Sequence, residues 1–311
     1  MWVRRTNTMR VRAGAAVLVV TLLFTLPLSA GCDRGVLPEP LEPLPEASRE
    51  RTEPDPEPDG APAPVPTPLE PTPVEPDPPS IPEPDDDAVH GWYYTANSTH
   101  AAPAVPAEAL RLLDAYGGRY IGTDAGVVYL TFDEGYENGY TPAILDTLAR
   151  TGVKATFFVT ESYIRNNPTL VRRMADEGHV VGNHTATHPS LPSLAGDRNA
   201  FADELELTEN AYEAATGRPM ARVMRPPMGE YSARSLWLTQ QLGYECVFWS
   251  FAHRDWLVDD QPPVDVTVKR ILDGSHPGAI YLLHAVSSSN TAALEAAIAG
   301  LRAQGYGFST L

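Results

Sequence analysis

From His90 onward the chain alternates short, unbroken apolar runs with longer stretches whose apolar residues return every three or four positions. The first kind reads as strands buried on both faces and the second as amphipathic helices. Seven strands are predicted: Val127 to Phe132, Lys154 to Val159, Val180 to Asn183, Arg222 to Arg225, Cys246 to Ser250, Ala279 to Leu283 and Tyr306 to Ser309. Between them the spacing predicts a helix opened by Thr141-Pro142 and ended by Gly152, and another from Asn167-Pro168 to Gly178. A longer one runs through Leu205, Thr208 and Tyr212 to Gly217, followed by helices over Ser232 to Leu242, Val264 to Leu272 and Thr291 to Gln304. Proline in a first turn and glycine after a last turn mark these ends because each removes a conflict with helical backbone geometry. Apolar strands joined by helices must be parallel and covered from outside. Seven of them fit an α/β fold of the incomplete (β/α)7 barrel type, and a doubly wound open sheet is the alternative.

The unusual polar residues all fall where strands end. Asp133-Glu134, His184 and His188, Arg225 and Glu230, Asp255-Trp256, and His284 each follow a different apolar run. In a barrel the carboxyl ends of the strands share one face, so these groups converge on one pocket. Two histidines four residues apart are weak evidence for a metal by themselves. Joined by carboxylates at neighbouring strand ends, they supply the imidazole and oxygen donors of a hydrolytic metal site that keeps a position for water.

The first third of the chain is of another kind. Arg4, Arg5, Arg10 and Arg12 precede an apolar run from Ala13 to Leu28, which ends in Leu28-Ser29-Ala30-Gly31-Cys32. Residues 1–31 therefore read as an export signal, and the final string resembles a lipoprotein processing site with Cys32 as the lipidated residue. An uncleaved apolar anchor is the other reading, and both place the remainder outside the cytoplasmic membrane, held at its outer face. Residues 32–88 form a Pro, Glu, Asp and Ala tract with little apolar surface to bury, expected to be a disordered, extended linker. A folded domain is expected over 89–311. The acidic tract accounts for most of the net charge of −17, so nothing in the charge points to nucleic acid. Cys246 lies in an apolar run and reads as a small core residue.

Five ordered segments carry a family resemblance: Thr131-Phe132-Asp133-Glu134-Gly135 with its continuation to Tyr140, Gly182-Asn183-His184-Thr185-Ala186-Thr187-His188, Arg225-Pro226-Pro227-Met228-Gly229, Asp255-Trp256, and Leu282-Leu283-His284. Together they resemble the motifs of the polysaccharide deacetylases of carbohydrate esterase family four, over roughly His90 to Leu311. Flanking runs, among them Gly91-Trp92-Tyr93-Tyr94 and Val247-Phe248-Trp249-Ser250, are similar to the N-acetylmuramic acid deacetylases of spore-forming bacteria.

The resemblance implies an amide hydrolase acting on peptidoglycan glycan strands, with N-acetylmuramic acid as the deacetylated sugar and the freed amine able to close on its lactyl carboxyl. It implies one divalent ion, zinc by family habit, held by Glu134, His184 and His188 and activating a water. The catalytic set it implies is Asp133 as base, His284 as acid, Arg225 orienting Asp133, and Asp255 beside His284. Tyr136, Pro226, Gly229 and Trp256 are the implied substrate-binding residues. Two positions depart from the family pattern: Glu134 stands where an Asp is usual, and Ala252 where many members carry an Asp that tunes the acid. Deacetylation of N-acetylglucosamine polymers or of O-acetylated xylan is the alternative activity, and a non-catalytic wall-binding protein is the alternative class. His179, His253 and His276 have no motif support and read as ordinary loop residues.

Overall fold

The computed structural model describes residues 81–311. The expected export segment 1–31, the lipidation candidate Cys32 and the expected linker as far as residue 80 lie outside the described residues. In chain order the strands are β1 (His90–Gly91), β2 (Gly118–Arg119), β3 (Val127–Glu134), β4 (Thr156–Val159), β5 (Val180–Asn183), β6 (Val223–Met224), β7 (Glu230–Tyr231), β8 (Glu245–Val247), β9 (Phe251–Ala252), β10 (Ile280–His284) and β11 (Gly307–Ser309). The helices are α1 (Ala107–Tyr116), α2 (Thr141–Thr151), α3 (Glu161–Asn166), α4 (Pro168–Asp176), α5 (Leu191–Leu194), α6 (Arg198–Thr216), α7 (Ala233–Gln241), α8 (Val264–Asp273) and α9 (Ser288–Ala303).

The main sheet runs β2-β8-β6-β5-β4-β3-β10-β9, with β11 joining the start of β3, and its strand pairs are parallel. This is the expected incomplete barrel. The expected single strand over Cys246 to Ser250 is broken in two. The short β2, which the sequence pattern did not announce, pairs with Cys246 and Val247, and the Phe248 amide still donates to Arg119 O at 2.8 Å. With that edge occupied, the chain reaches β10 only at Ser250, whose amide donates to Ile280 O, and continues as β9. One chain segment thus touches both ends of the curled sheet.

Alternation along β3 sorts the layers. Val128, Leu130 and Phe132 belong to the outer core under the helices, whereas Tyr129 packs with Phe158, Val223, Val247 and Ile280 in a separate inner cluster. Helix ends follow local chemistry. Gly152, at φ 66°, lets its amide return to Leu148 O and Ala149 O after α2, and the Asp197 carboxylate accepts the Asn199 and Ala200 amides that open α6. α9 begins at Ser288, ahead of the expected Thr291, because the Ser287 hydroxyl accepts the Asn290 amide. The polar run 287–290 is therefore the cap and first turn of a helix.

The expected boundary at 88 also shifts for the described part of the linker. Trp237 Nε1 donates to Ile81 O at 2.9 Å, and Arg234 meets Pro84 O and Asp87 while Glu83 pairs with Arg198. The last acids of the tract find arginines on α6 and α7, so residues 81–88 go with the domain. Downstream, β1 pairs antiparallel with β7, and the Trp92 amide donates to Gly229 O at 2.8 Å.

Gly182, two residues before His184, admits no side chain. A β-carbon there would lie 2.9 Å from the Phe158 ring and 3.0 Å from Val223 O. Gly182→Ala is expected to cost about 1–3 kcal/mol of unfolding free energy, read from urea denaturation, and an unchanged midpoint would contradict this tight inner packing.

Candidate active site

Asp133 faces into the barrel from β3, and the fully buried Arg225 meets it from the turn after β6. Arg225 Nη1 donates to Asp133 Oδ1 at 2.7 Å and to Thr131 Oγ1 at 2.8 Å, and its Nε donates to Val247 O at 3.2 Å. The guanidinium lies over the Phe158 ring, 4.2 Å from its centroid. Burial alone would raise the Asp133 pKa. The charges of Arg225, His184 and His284, with the Arg225 hydrogen bond, outweigh that and hold it below the ordinary carboxylate value.

His184 is oriented from behind. Its Nδ1 lies 2.8 Å from Arg225 O, and because a carbonyl only accepts, Nδ1 carries the proton. Burial pushes this imidazole down to about 4, against the opposing pull of Asp133. At neutral pH its Nε2 is therefore a bare lone pair, and it lies 3.6 Å from Asp133 Oδ2. The ring of His188 stands edge-on to His184, with centroids 4.9 Å apart. Thr185 and His188 have φ of 67° and 60°, a left-handed conformation that costs a non-glycine residue about 1–2 kcal/mol. Hydrogen bonds offset that cost. Thr185 N donates to Asn183 Oδ1, His188 N donates to Thr185 Oγ1, and the Glu204 carboxylate of α6 accepts the Ala186 and Thr187 amides at 2.9 and 2.8 Å.

Glu134 departs from its expected role as a metal ligand. Successive strand residues point to opposite faces, so with Asp133 facing inward Glu134 shares the outward face of Phe132. Its Oε1 accepts from Thr141 Oγ1 at 3.3 Å, and its side chain is fully buried. Burial first, then the charge of Glu137, push its pKa well above the carboxylate range despite the Thr141 hydrogen bond. A buried carboxyl turned toward the helices and bonded to Thr141 is a poor partner for an ion in the barrel mouth. Among the described residues no three His, Cys, Asp or Glu side chains make a complete metal cage. The donors that stand together are the imidazoles of His184 and His188, two nitrogens of the kind a divalent ion takes while its remaining positions go to water or substrate.

His284 ends β10 in register with Asp133. Asp255 grips it twice, with Oδ1 2.7 Å from Nδ1 and Oδ2 accepting the His284 amide at 2.9 Å. Burial would lower the His284 pKa, but the hydrogen bond and charge of Asp255, with Asp133 adding, leave it raised above the ordinary value. With Ala252 in place of the acid-tuning Asp of many family members, Asp255 itself is the carboxylate that backs His284. Trp256 packs 5.7 Å from His284 by ring centroids. Asp133, His184, His188 and His284 line one cavity of about 680 Å3, whose walls include the expected Tyr136, Pro226, Gly229 and Trp256. Gly229 has φ 66°, and a β-carbon on it would strike Trp249 at 2.6 Å, so only glycine fits this wall.

Sequence reasoning missed Thr131, Glu204, Asn290 and His253, which hold the site from behind. Thr131 opens the first of the five family segments with no role assigned to it, its inward parity with Asp133 being readable in advance, whereas Glu204, Asn290 and His253 carry no motif.

Comparison with known proteins gives concordant findings. The family model for polysaccharide deacetylase matches residues 121–247. The chain is 40% identical over 221 residues to the peptidoglycan-N-acetylmuramic acid deacetylase PdaA of Bacillus subtilis, covering 71% of this chain and 83% of that one. It is 42% identical over 163 residues to a chitooligosaccharide deacetylase of Sinorhizobium fredii, covering 52% of this chain and 74% of that one. The solved structure of Bacillus subtilis PdaA, a family 4 carbohydrate esterase, superposes with a TM-score of 0.69 at 38% identity, covering 72% of this chain and 95% of that one. An ionised aspartate and a carboxylate-backed histidine face one cavity in a barrel shared with these relatives, and the chain belongs to the polysaccharide deacetylase family as a deacetylase enzyme.

Proposed function

We propose that this enzyme removes the N-acetyl group of N-acetylmuramic acid in peptidoglycan, from the outer face of the cytoplasmic membrane. The observation that carries the chemistry is the pairing of a base arm, Asp133 with Arg225, and an acid arm, His284 with Asp255, on adjacent strands around one cavity. The likeness to PdaA, over most of that protein's length, supports muramic acid as the sugar.

A divalent ion at His184 and His188, zinc being well suited to imidazole donors, would polarise the acetamide carbonyl and acidify a water. Asp133, kept ionised by Arg225, accepts the proton of the attacking water as its oxygen bonds to the carbonyl carbon. When the carbon–nitrogen bond breaks, His284 gives its Nε2 proton to the departing amine, and acetate leaves. Asp255 keeps Nδ1 of His284 as a donor, so that Nε2 is the nitrogen aimed at substrate. Trp256 and Tyr136 are about half exposed on the cavity wall and offer flat faces to sugar rings. The same chemistry would serve an N-acetylglucosamine chain, and it is the wall outside the reacting atoms that must admit the lactyl ether of muramic acid.

The metal assignment predicts a split among variants. His184→Ala and His188→Ala lower bound zinc measured by elemental analysis, whereas Glu134→Gln leaves it near one ion per chain because that side chain faces the helices. Loss of the ion in Glu134→Gln would return Glu134 to the ligand set. Anchoring is tested by Cys32→Ala, which should move the protein out of the membrane fraction or leave its precursor unprocessed; unchanged membrane association would favour an uncleaved anchor. For the substrate, the purified enzyme is incubated with peptide-free peptidoglycan glycan and with an N-acetylglucosamine oligomer, and the products are read by mass spectrometry. Acetyl loss confined to muramic acid is the expected result, and deacetylation of the oligomer alone would transfer the assignment to N-acetylglucosamine polymers.

A further inference from the structure

Behind Asp255 the hydrogen-bonded chain continues for two more residues. The Asn290 side-chain amide donates to Asp255 Oδ2 and, at 3.4 Å, to His284 O. Both of those atoms only accept, so the nitrogen of the Asn290 amide faces them and its Oδ1 faces the other way. On that side stands His253, with Nε2 3.0 Å from Asn290 Oδ1. An amide oxygen only accepts, so His253 Nε2 is the protonated nitrogen. The His253 side chain is 5% exposed, its ring packs 5.8 Å from Phe251, and its Nδ1 has no hydrogen-bond partner among the described residues. Both rings and the amide therefore have a single polar alignment: His253 donates to Asn290, Asn290 donates to Asp255, and Asp255 accepts from His284.

We propose that Asn290 and His253 are positioning residues of the acid arm, which fix the direction of the Asn290 amide and through it hold both Asp255 oxygens on His284. The inference deepens the proposed mechanism and rests on His284 as the acid. Without the His253 donor the Asn290 amide is free to turn over, and its oxygen would then oppose the Asp255 carboxylate. Asp255 would leave its two-point grip, and His284 would lose both its orientation and its principal counter-charge. The charged and titratable groups around His284 are Asp255, Asp133, Arg225, His188 and His253. Of these, Asp255 contributes most to holding its proton, through a hydrogen bond and a charge that, with Asp133 adding, outweigh burial.

The sign of the effect follows. An acid catalyst acts while protonated, so the rate falls as pH rises through the His284 pKa. Releasing Asp255 lowers that pKa and moves the basic limb of kcat to lower pH. The test uses the full-length enzyme with His253→Phe, Asn290→Leu and His253→Gln, since the Gln Nε2 can replace the His Nε2 donor. Thermal unfolding checks that each variant is folded, and the His284 imidazole is titrated by NMR in parallel with kcat and KM. His253→Phe and Asn290→Leu should lower the His284 titration midpoint and cut kcat by about 10²-fold, with KM little changed. His253→Gln should recover both. A folded His253→Phe that loses kcat with an unmoved His284 titration has a structural role only and overturns the proposal, as does one that keeps the wild-type kcat and titration. A lowered titration with intact kcat would uphold the positioning and instead remove His284 from the role of acid.

Discussion

Arg225 is a guanidinium with no solvent exposure inside the barrel. An unpaired charge in that setting would cost several kcal/mol, and no single neighbour could offset it. The fold meets the cost with groups from separate elements: Asp133 and Thr131 of β3, the Val247 carbonyl of β8, the Phe248 carbonyl beyond it, and the ring of Phe158 on β4. These groups come within reach only when the sheet curls, so satisfying Arg225 and building the barrel mouth are one event. Losing a partner of such a pair strands the other charge, at about 3–5 kcal/mol. The same pair keeps Asp133 ionised as a base, and the Arg225 carbonyl fixes the tautomer of His184. Stability and chemistry thus hang on one side chain.

The outward face of β3 carries a second polar arrangement. Glu134, Thr141, Tyr163 and Glu137 form a cluster in which Tyr163 Oη donates to Glu137 Oε2 and contacts Thr141 Oγ1, each at 3.2 Å. Glu137 Oε1 also accepts the Gly139 and Thr141 amides, the latter at the start of α2. The cluster fastens β3 to α2 and α3 and so sets the loop that presents Tyr136. Glu134 therefore serves the site as a fastener of the loop, a role that a longer side chain facing outward can fill.

The acid arm stands at one end of the sheet. β9 is a two-residue edge strand, and Asp255 follows it in a loop with no ladder to hold it. Its order comes from side chains, above all Asn290 in the first turn of α9 and Gln261, whose Nε2 donates to Asp255 O. A motif in a loop thus relies on a helix 35 residues further along the chain.

Periodicity by itself established the strand and helix alternation and parallel strands covered by helices, because burial on both sides of a strand leaves few other arrangements. The incomplete barrel, with a doubly wound sheet as its alternative, then implied that Asp133, His184, His188, Arg225, Asp255 and His284 gather on one face. The ordered motifs named the family from the same residues. The inward and outward parity that separates Asp133 from Glu134 was also present in the sequence, but the resemblance made Glu134 a metal ligand beside the base Asp133 until the strand was known to continue through both. Tertiary structure alone decided the rest. The break of the expected strand at Phe248 depends on β2, two residues with no apolar pattern, occupying its edge. His253 and Asn290 read as loop residues because their importance lies in hydrogen bonds to partners distant in sequence, and a hydrogen bond between distant residues leaves no periodic trace in the chain that makes it.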